Sequence, residues 1–405
     1  MISVTALFYD RRIFMKKIAA AIAALLAVSM ALSSCSSGSE NSSESPAKET
    51  SLPQTELQDM RDITASELVS EMKTGFSLGN TMDSTIGKNN GAPYEYETGW
   101  GNQVTTREAI QGIADSGFNV LRVPVSWGEH LSSDGSYTID KAWLDRVNEI
   151  VDYGLDAGMF VILNTHHEEW LFPDEAHFEA NSEELAKLWS QIAERFSGYN
   201  EKLIFEGLNE PRKRDTIYEW NGGDEEGQQV VNKLNAVFVE TVRNSGGNNG
   251  KRCLMIPTYA ASAMEKTFAA MEVPENDDRI IVSVHAYIPY NFALASDNFT
   301  DYWSSSDPSC TAEIDNLMTT LKAYFLDKGI PVIIGEMGCV NRNNTEARKD
   351  WARYYVGKAH EYGIPCLWWD NGAYLGNGEL FGIYSRDSGN WIFRDVMEGI
   401  MEGLE

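Results

Sequence analysis

Eight short, nearly continuous apolar runs recur between residues 75 and 372, and longer stretches whose apolar positions return every three or four residues lie between them. The first pattern predicts strands buried on both faces and the second predicts amphipathic helices. The strand candidates span 75–83, 119–127, 159–167, 203–211, 253–259, 280–287, 331–338 and 365–372. Helical patterns occupy 107–116, 140–157, 182–196, 227–244, 312–327 and 345–362, and Gly158 and Gly363 stand where a helix C-cap is expected. Eight strand-then-helix units predict an α/β fold, a closed (β/α)8 TIM barrel, as one catalytic domain over 62–405. The alternative is an open doubly wound sheet, but no GxGxxG or GxxxxGK[ST] follows the first strand.

A parallel barrel presents its chemistry at the C-terminal ends of its strands. The fourth run, LIFEGLNEP, is broken only by Glu206 and ends in Asn209-Glu210-Pro211. Taken alone, Asn-Glu-Pro is equally a turn signal. The seventh run, PVIIGEMG, repeats the design, placing Glu336 between Gly335 and Gly338, which leave room for something to approach it. Three strand positions around an eight-strand ring would set Glu210 and Glu336 nearly across the mouth from each other. Paired carboxylates suit cleavage of a glycosidic bond, one protonated to help the leaving oxygen depart and the other ionised to attack or to activate water. Other predicted strand ends carry Arg122, His166, His167, His285, Tyr287, Trp368 and Trp369. A lone histidine or arginine there is an ordinary structural hydrogen-bonder, and it is the convergence at one rim that favours a functional reading.

Composition adds limits. The 405 residues are 43% hydrophobic with eleven tryptophans, enough for a sizeable core, and the formal charge of −27 argues against nucleic acid or an anionic membrane surface as partner. Lys16 and Lys17 precede an apolar run over 18–32, short for a membrane span and suited to a signal peptide over 1–34, with Met15 an alternative start. The run ends in Leu-Ser-Ser-Cys35, which resembles a bacterial lipoprotein cleavage box. It predicts a cell-surface lipoprotein anchored through Cys35, the other reading being an ordinary signal peptide with Cys35 incidental. Residues 35–61 read as the attachment point and a Ser/Glu/Pro-rich disordered linker. Cys253, Cys310, Cys339 and Cys366 show no metal-type spacing and read as free thiols, with a Cys310–Cys339 bridge the one pairing considered. No cofactor is expected, and the protein is read as a monomer.

The segments RVPVSW, NTHHEEW, FEGLNEPR, VHAYIPYNF, IIGEMG and WWDNG, in that order, resemble the motifs of glycoside hydrolase family five, which contains many cellulases. HAYIPYNF with WWDNG looks most like its subfamily four, whose members include endo-β-1,4-glucanases, xyloglucanases and mixed-linkage glucanases. The resemblance implies a retaining double displacement on a β-glucan polysaccharide or oligosaccharide, with Glu210 as acid/base and Glu336 as nucleophile. It implies that Asn209 bonds the sugar 2-hydroxyl, and that Arg122 and Tyr287 orient Glu336 and keep it ionised. His166 and His285 then support the subsite and the acid/base, and Trp369 forms the sugar platform, with Trp368 the neighbouring alternative. His167 and Trp170 complete the substrate-binding candidates. Trp100, Trp127, Trp220 and Trp303 are further platform candidates in loops, whereas Trp143, Trp189, Trp351 and Trp391 fall in helical patterns and read as core.

Alternatives within the same family are a β-mannanase or a xylanase. Outside it are a metal-dependent barrel hydrolase and a non-catalytic oligosaccharide-binding lipoprotein. Against metal, adjacent His166 and His167 would point to opposite faces of a strand, and HHEEW is not HExxH because residue 171 is Leu. Against silent binding, both glutamates are present.

Overall fold

In the computed structural model, which describes residues 57–405, the eight apolar runs become eight parallel strands closed into one ring. They are β1 (Thr74–Leu78), β2 (Val120–Val123), β3 (Phe160–Asn164), β4 (Leu203–Glu206), β5 (Leu254–Ser262), β6 (Ile280–His285), β7 (Val332–Met337) and β8 (Cys366–Asp370). Each pairs with the next, and β8 returns to β1 in a register running from Thr74–Cys366 to Leu78–Asp370. The expected signal peptide and Cys35 lie outside the described residues, as does most of the linker. The end of that linker is packed: Gln58 N–H donates to the Gly198 carbonyl, and Arg61 pairs with Glu71 and Glu201. No described helix is long and apolar enough to cross a membrane.

Alternation along each strand divides the core in two. Outward residues such as Leu121, Phe205, Val282 and Trp368 pack against the helical layer. Inward residues such as Ile162, Ile204, Met255 and Leu367 fill the ring, closed below by Leu68 and Val69 of the helix Ala65–Ser70. Nearer the C-terminal ends the buried interior turns polar, with Ser77, Arg122, Asn164, Glu206 and Ser283 all at zero exposure. This polar layer is the floor of the site.

Several helices start where short polar side chains take up a free N–H. Thr106 accepts from Ala109, Asp140 from Trp143 and Asp224 from Gly227. The helix expected at 182–196 begins earlier, at Phe178, without a side-chain cap. Arg252 fixes the chain entering β4: fully buried, it donates to the carbonyls of Phe196, Tyr199, Asn200 and Leu203. The four described cysteines are free thiols, so Cys310 and Cys339 are not bridged.

Candidate active site

β4 stops at Glu206, so Asn209 and Glu210 stand on the loop beyond it and not on the strand. Gly207 begins that loop because any side chain there would put its Cβ 2.4 Å from the Phe238 ring. Glu336, by contrast, is inside β7, at a register shift where it pairs with His285 of β6. Gly335 is needed beside it, since a Cβ there would lie 3.2 Å from both His285 Nε2 and Ser283 Oγ.

The two glutamates meet. One oxygen of Glu210, one of Glu336 and a ring nitrogen of His285 all lie within 4.8 Å of one another. His285 Nδ1 is 2.9 Å from Glu210 Oε1 and 3.6 Å from Glu336 Oε2. Tyr287 donates to Glu336 Oε2 at 2.7 Å, and Arg122 Nη1 donates to Glu336 Oε1 at 2.8 Å. Arg122 Nη2 donates to Asn209 Oδ1 at 2.7 Å, so one guanidinium aligns both strand ends.

These contacts set the charges. Burial alone would raise Glu210, but the His285 bond and charge, with Arg212, hold it below the ordinary carboxylate range. Burial would lower His285, and the negative charges of Glu336 and Glu210 outweigh it and hold the imidazole above its ordinary value. Burial, then Glu336, push the Tyr287 hydroxyl far up, so it serves as a donor. Burial keeps His166 well below its ordinary value and His167 at about 4, so both rings are neutral near pH 7.

Asn164 fixes the tautomer of His166. Its Oδ1 accepts the Val125 N–H at 3.0 Å, which turns its amide NH2 toward Glu206 Oε2 at 3.0 Å and His166 Nδ1 at 3.2 Å. Nδ1 is therefore the acceptor, and Nε2 carries the ring proton. The His166 ring lies parallel to Trp369, 5.6 Å away. Trp369 faces the site over Gly79, where a Cβ would come within 2.6 Å of its ring.

Several expectations are corrected. Trp368 is not a sugar platform: it points outward, donates to the Phe381 carbonyl and packs edge-on against Trp351. Alternation along β8 assigns the two tryptophans to opposite faces. Trp170 packs beside Gly128 and donates to Glu168 Oε2 at 2.7 Å, which makes it a support for the loop after β3. Glu168 is buried there and pushed up to about 7 by that burial, against the N–H groups of Trp127, Trp170 and Gly128. His166 and His167 do not point to opposite faces, because β3 ends at Asn164; both line one cleft, their rings 4.4 Å apart. That cleft, about 540 Å³, is also lined by Trp100, Asn209, Glu210 and Arg212. Trp127 and Trp303 are core, while Trp100 and Trp220 are exposed at the rim.

Glu206, Asn164, Ser283 and Arg212 also belong to the site, although no strand-end pattern marks them. Arg212 donates to the Glu210 carbonyl, stands 3.5 Å from its Oε2 and lies over the Trp220 ring. A second His/acid group, Asp83 with His166 and His167, has metal-like proximity. The Asp83 oxygens there accept from Asn80 and Thr81 N–H, and His166 Nδ1 accepts from Asn164.

Two carboxylates converging at the C-terminal rim of a (β/α)8 barrel are the arrangement of a glycoside hydrolase. A family model described as cellulase, glycosyl hydrolase family 5, matches residues 85–375, and the chain belongs to that family. Endoglucanase B of Ruminococcus albus is 48% identical over 87% of this chain and 84% of its own. Two solved structures align at TM-score 0.82. The GH5-4 broad specificity endoglucanase from Clostridium longisporum is 44% identical, covering 85% of this chain and 99% of that one. The corresponding endoglucanase from Ruminococcus champanellensis, with bound cellotriose, is 43% identical, covering 85% and 100%.

Proposed function

We propose that the protein is a retaining endo-β-1,4-glucanase that cleaves plant cell-wall glucans, namely cellulose chains, xyloglucan and mixed-linkage β-glucan, by double displacement. The observation that carries this reading is the approach of Glu210 and Glu336 oxygens within 4.8 Å of each other. Retaining enzymes hold their carboxyl groups about 5–5.5 Å apart, whereas inverting ones need about 6.5–9.5 Å to admit a water. The names of the relatives and the cellotriose in one of them support a β-1,4-glucan as substrate.

The roles follow from the partners. Glu336 receives two hydrogen bonds from groups that stay protonated, Arg122 and Tyr287, which orient its carboxylate as the nucleophile. Glu210 shares a hydrogen bond with His285, and one proton serves that pair. In the first step Glu336 attacks the anomeric carbon while the single proton shared by the Glu210–His285 pair passes through Glu210 to the leaving oxygen, and the glycosidic C–O bond breaks. Ester formation removes the negative charge on Glu336 that chiefly favours the His285 cation. Glu210 then takes a proton from water, the hydroxide oxygen bonds to the anomeric carbon, and the ester bond to Glu336 breaks. Asn209, held by Arg122, takes the role of bonding the 2-hydroxyl in this reading, and Trp369, parallel to His166, that of the platform under the ring.

Reducing-end release from carboxymethylcellulose, barley β-glucan and xyloglucan, run beside mannan and xylan, tests the proposal. Release from the glucans is expected, with a bell-shaped pH profile. Its alkaline limb falls as the Glu210–His285 pair loses its shared proton. Because His285 is held above its ordinary value of about 6.5, that second limb lies above neutral-range histidine titration. Product from mannan or xylan alone, or binding without product, would refute the assignment.

We also propose that the enzyme is extracellular and tethered to the cell surface through Cys35, on the strength of the Leu-Ser-Ser-Cys sequence after an apolar run. A labelled fatty acid fed to the expressing cells should appear on the wild type and not on Cys35→Ser. Equal labelling of both would remove the anchor from the account.

A further inference from the structure

Glu206 is a fully buried carboxylate within β4, without access to the cleft and without a part in either chemical step, yet three hydrogen bonds of the floor end on it. Its Oε2 accepts from Arg122 Nε at 2.7 Å and from Asn164 Nδ2 at 3.0 Å, and its Oε1 accepts from Ser283 Oγ at 2.8 Å. The same guanidinium that touches Glu206 through Nε touches Glu336 through Nη1. One cation thus faces two carboxylates, one reactive and one sealed.

We propose that Glu206 is a positioning residue that divides the charge of Arg122 and thereby sets the strength of Glu336 as nucleophile. A buried pair is coupled far more strongly than an exposed one, because little water screens it. With Glu206 ionised, part of the Arg122 charge is already compensated, and Glu336 keeps more of its electron density for attack. Without that negative charge, Glu336 alone would balance the cation, staying ionised at lower pH and attacking more weakly. The bonds from Asn164 and Ser283 lock the Glu206 carboxyl, which in turn fixes the edge of Arg122 opposite the nucleophile. Asn164 also sets the His166 tautomer, so the same carboxylate anchors the sugar-facing histidine.

The other ionisable groups facing Glu336 are Arg122 from β2, Glu210 after β4, His285 of β6, Tyr287 after β6 and Glu379 after β8. All are kept in Glu206→Gln, which is close to the same shape and can retain its oxygen toward Arg122 and Asn164. A change in that variant therefore reports the Glu206 charge.

The inference rests on the double-displacement reading. Its test is the pH dependence of inactivation of the full chain by 2,4-dinitrophenyl 2-deoxy-2-fluoro-β-cellobioside. Dinitrophenolate leaves unaided, so the reaction needs Glu336 ionised but no proton from Glu210. Wild-type protein should be labelled on Glu336. In Glu206→Gln the acidic limb should move to lower pH by on the order of one unit, with a slower plateau. Glu206→Asp keeps the charge but draws it back from Arg122, and should move the limb the same way by less. This variant decides the matter if the glutamine protein does not fold. Slower inactivation with an unmoved limb would mean that Glu206 only supports the fold, and the inference would be overturned. Absence of wild-type labelling at Glu336 would instead sink the glucanase reading itself.

Discussion

Replacing Glu336 by glycine is expected to abolish glucan hydrolysis, and added azide is expected to restore turnover with an α-glycosyl azide as product. The substitution removes the nucleophile and opens a space beside Arg122 and Tyr287, which still line it with donors. Azide entering that space attacks from the side Glu336 occupied, once, and inverts the anomeric centre. The companion variant, Glu210→Ala, should lose about 10²–10⁴-fold on substrates with poor leaving groups. Azide should then attack the sugar-enzyme ester from the opposite side and give the β-azide. The configuration of the azide, read by NMR, separates the two roles; a β-azide from the Glu336 variant would exchange them.

Arg122→Met is expected to combine the largest loss of stability with loss of activity. Arg122 is wholly buried and holds Glu206, Glu336 and Asn209 at 2.7–2.8 Å. Methionine fills much of the space but leaves Glu206 as a sealed charge without its cation. Breaking a buried pair in this way costs about 3–5 kcal/mol, far more than the pair adds in net stability when intact. Urea unfolding followed by tryptophan fluorescence checks it. A variant as stable as the wild type would mean that Asn164 and Ser283 alone satisfy Glu206.

The outer frame of this arrangement was legible in the chain. Eight apolar runs set the ring, and the strand-end glutamates, Arg122, His285 and Tyr287 converge as their positions implied. What was not legible is the layer beneath. Glu206 read as an interruption in an apolar run, although period-two alternation from Ile204 places it inside the ring, where a carboxylate requires a cation, and Arg122 is the cation at that level. The same alternation sorts Trp368 from Trp369, since Leu367 faces inward and the residues on either side of it face out. The histidine pair departs from strand alternation for a different reason. Alternation holds only while the strand lasts, and β3 ends at Asn164, so His166 and His167 turn together into the cleft. Trp170 shows the limit of reading aromatics in loops as platforms: its indole N–H is taken up by buried Glu168.

In the proposed double displacement, two carboxyl groups act in succession on one anomeric carbon. Proton NMR of the first reducing ends released from a cello-oligosaccharide, recorded before mutarotation, tests this most directly. The β-anomer should appear first and the α-anomer only as the sugar equilibrates. If the α-anomer leads, the bond is broken in a single displacement by water, and the Glu210–Glu336 approach does not serve a covalent intermediate.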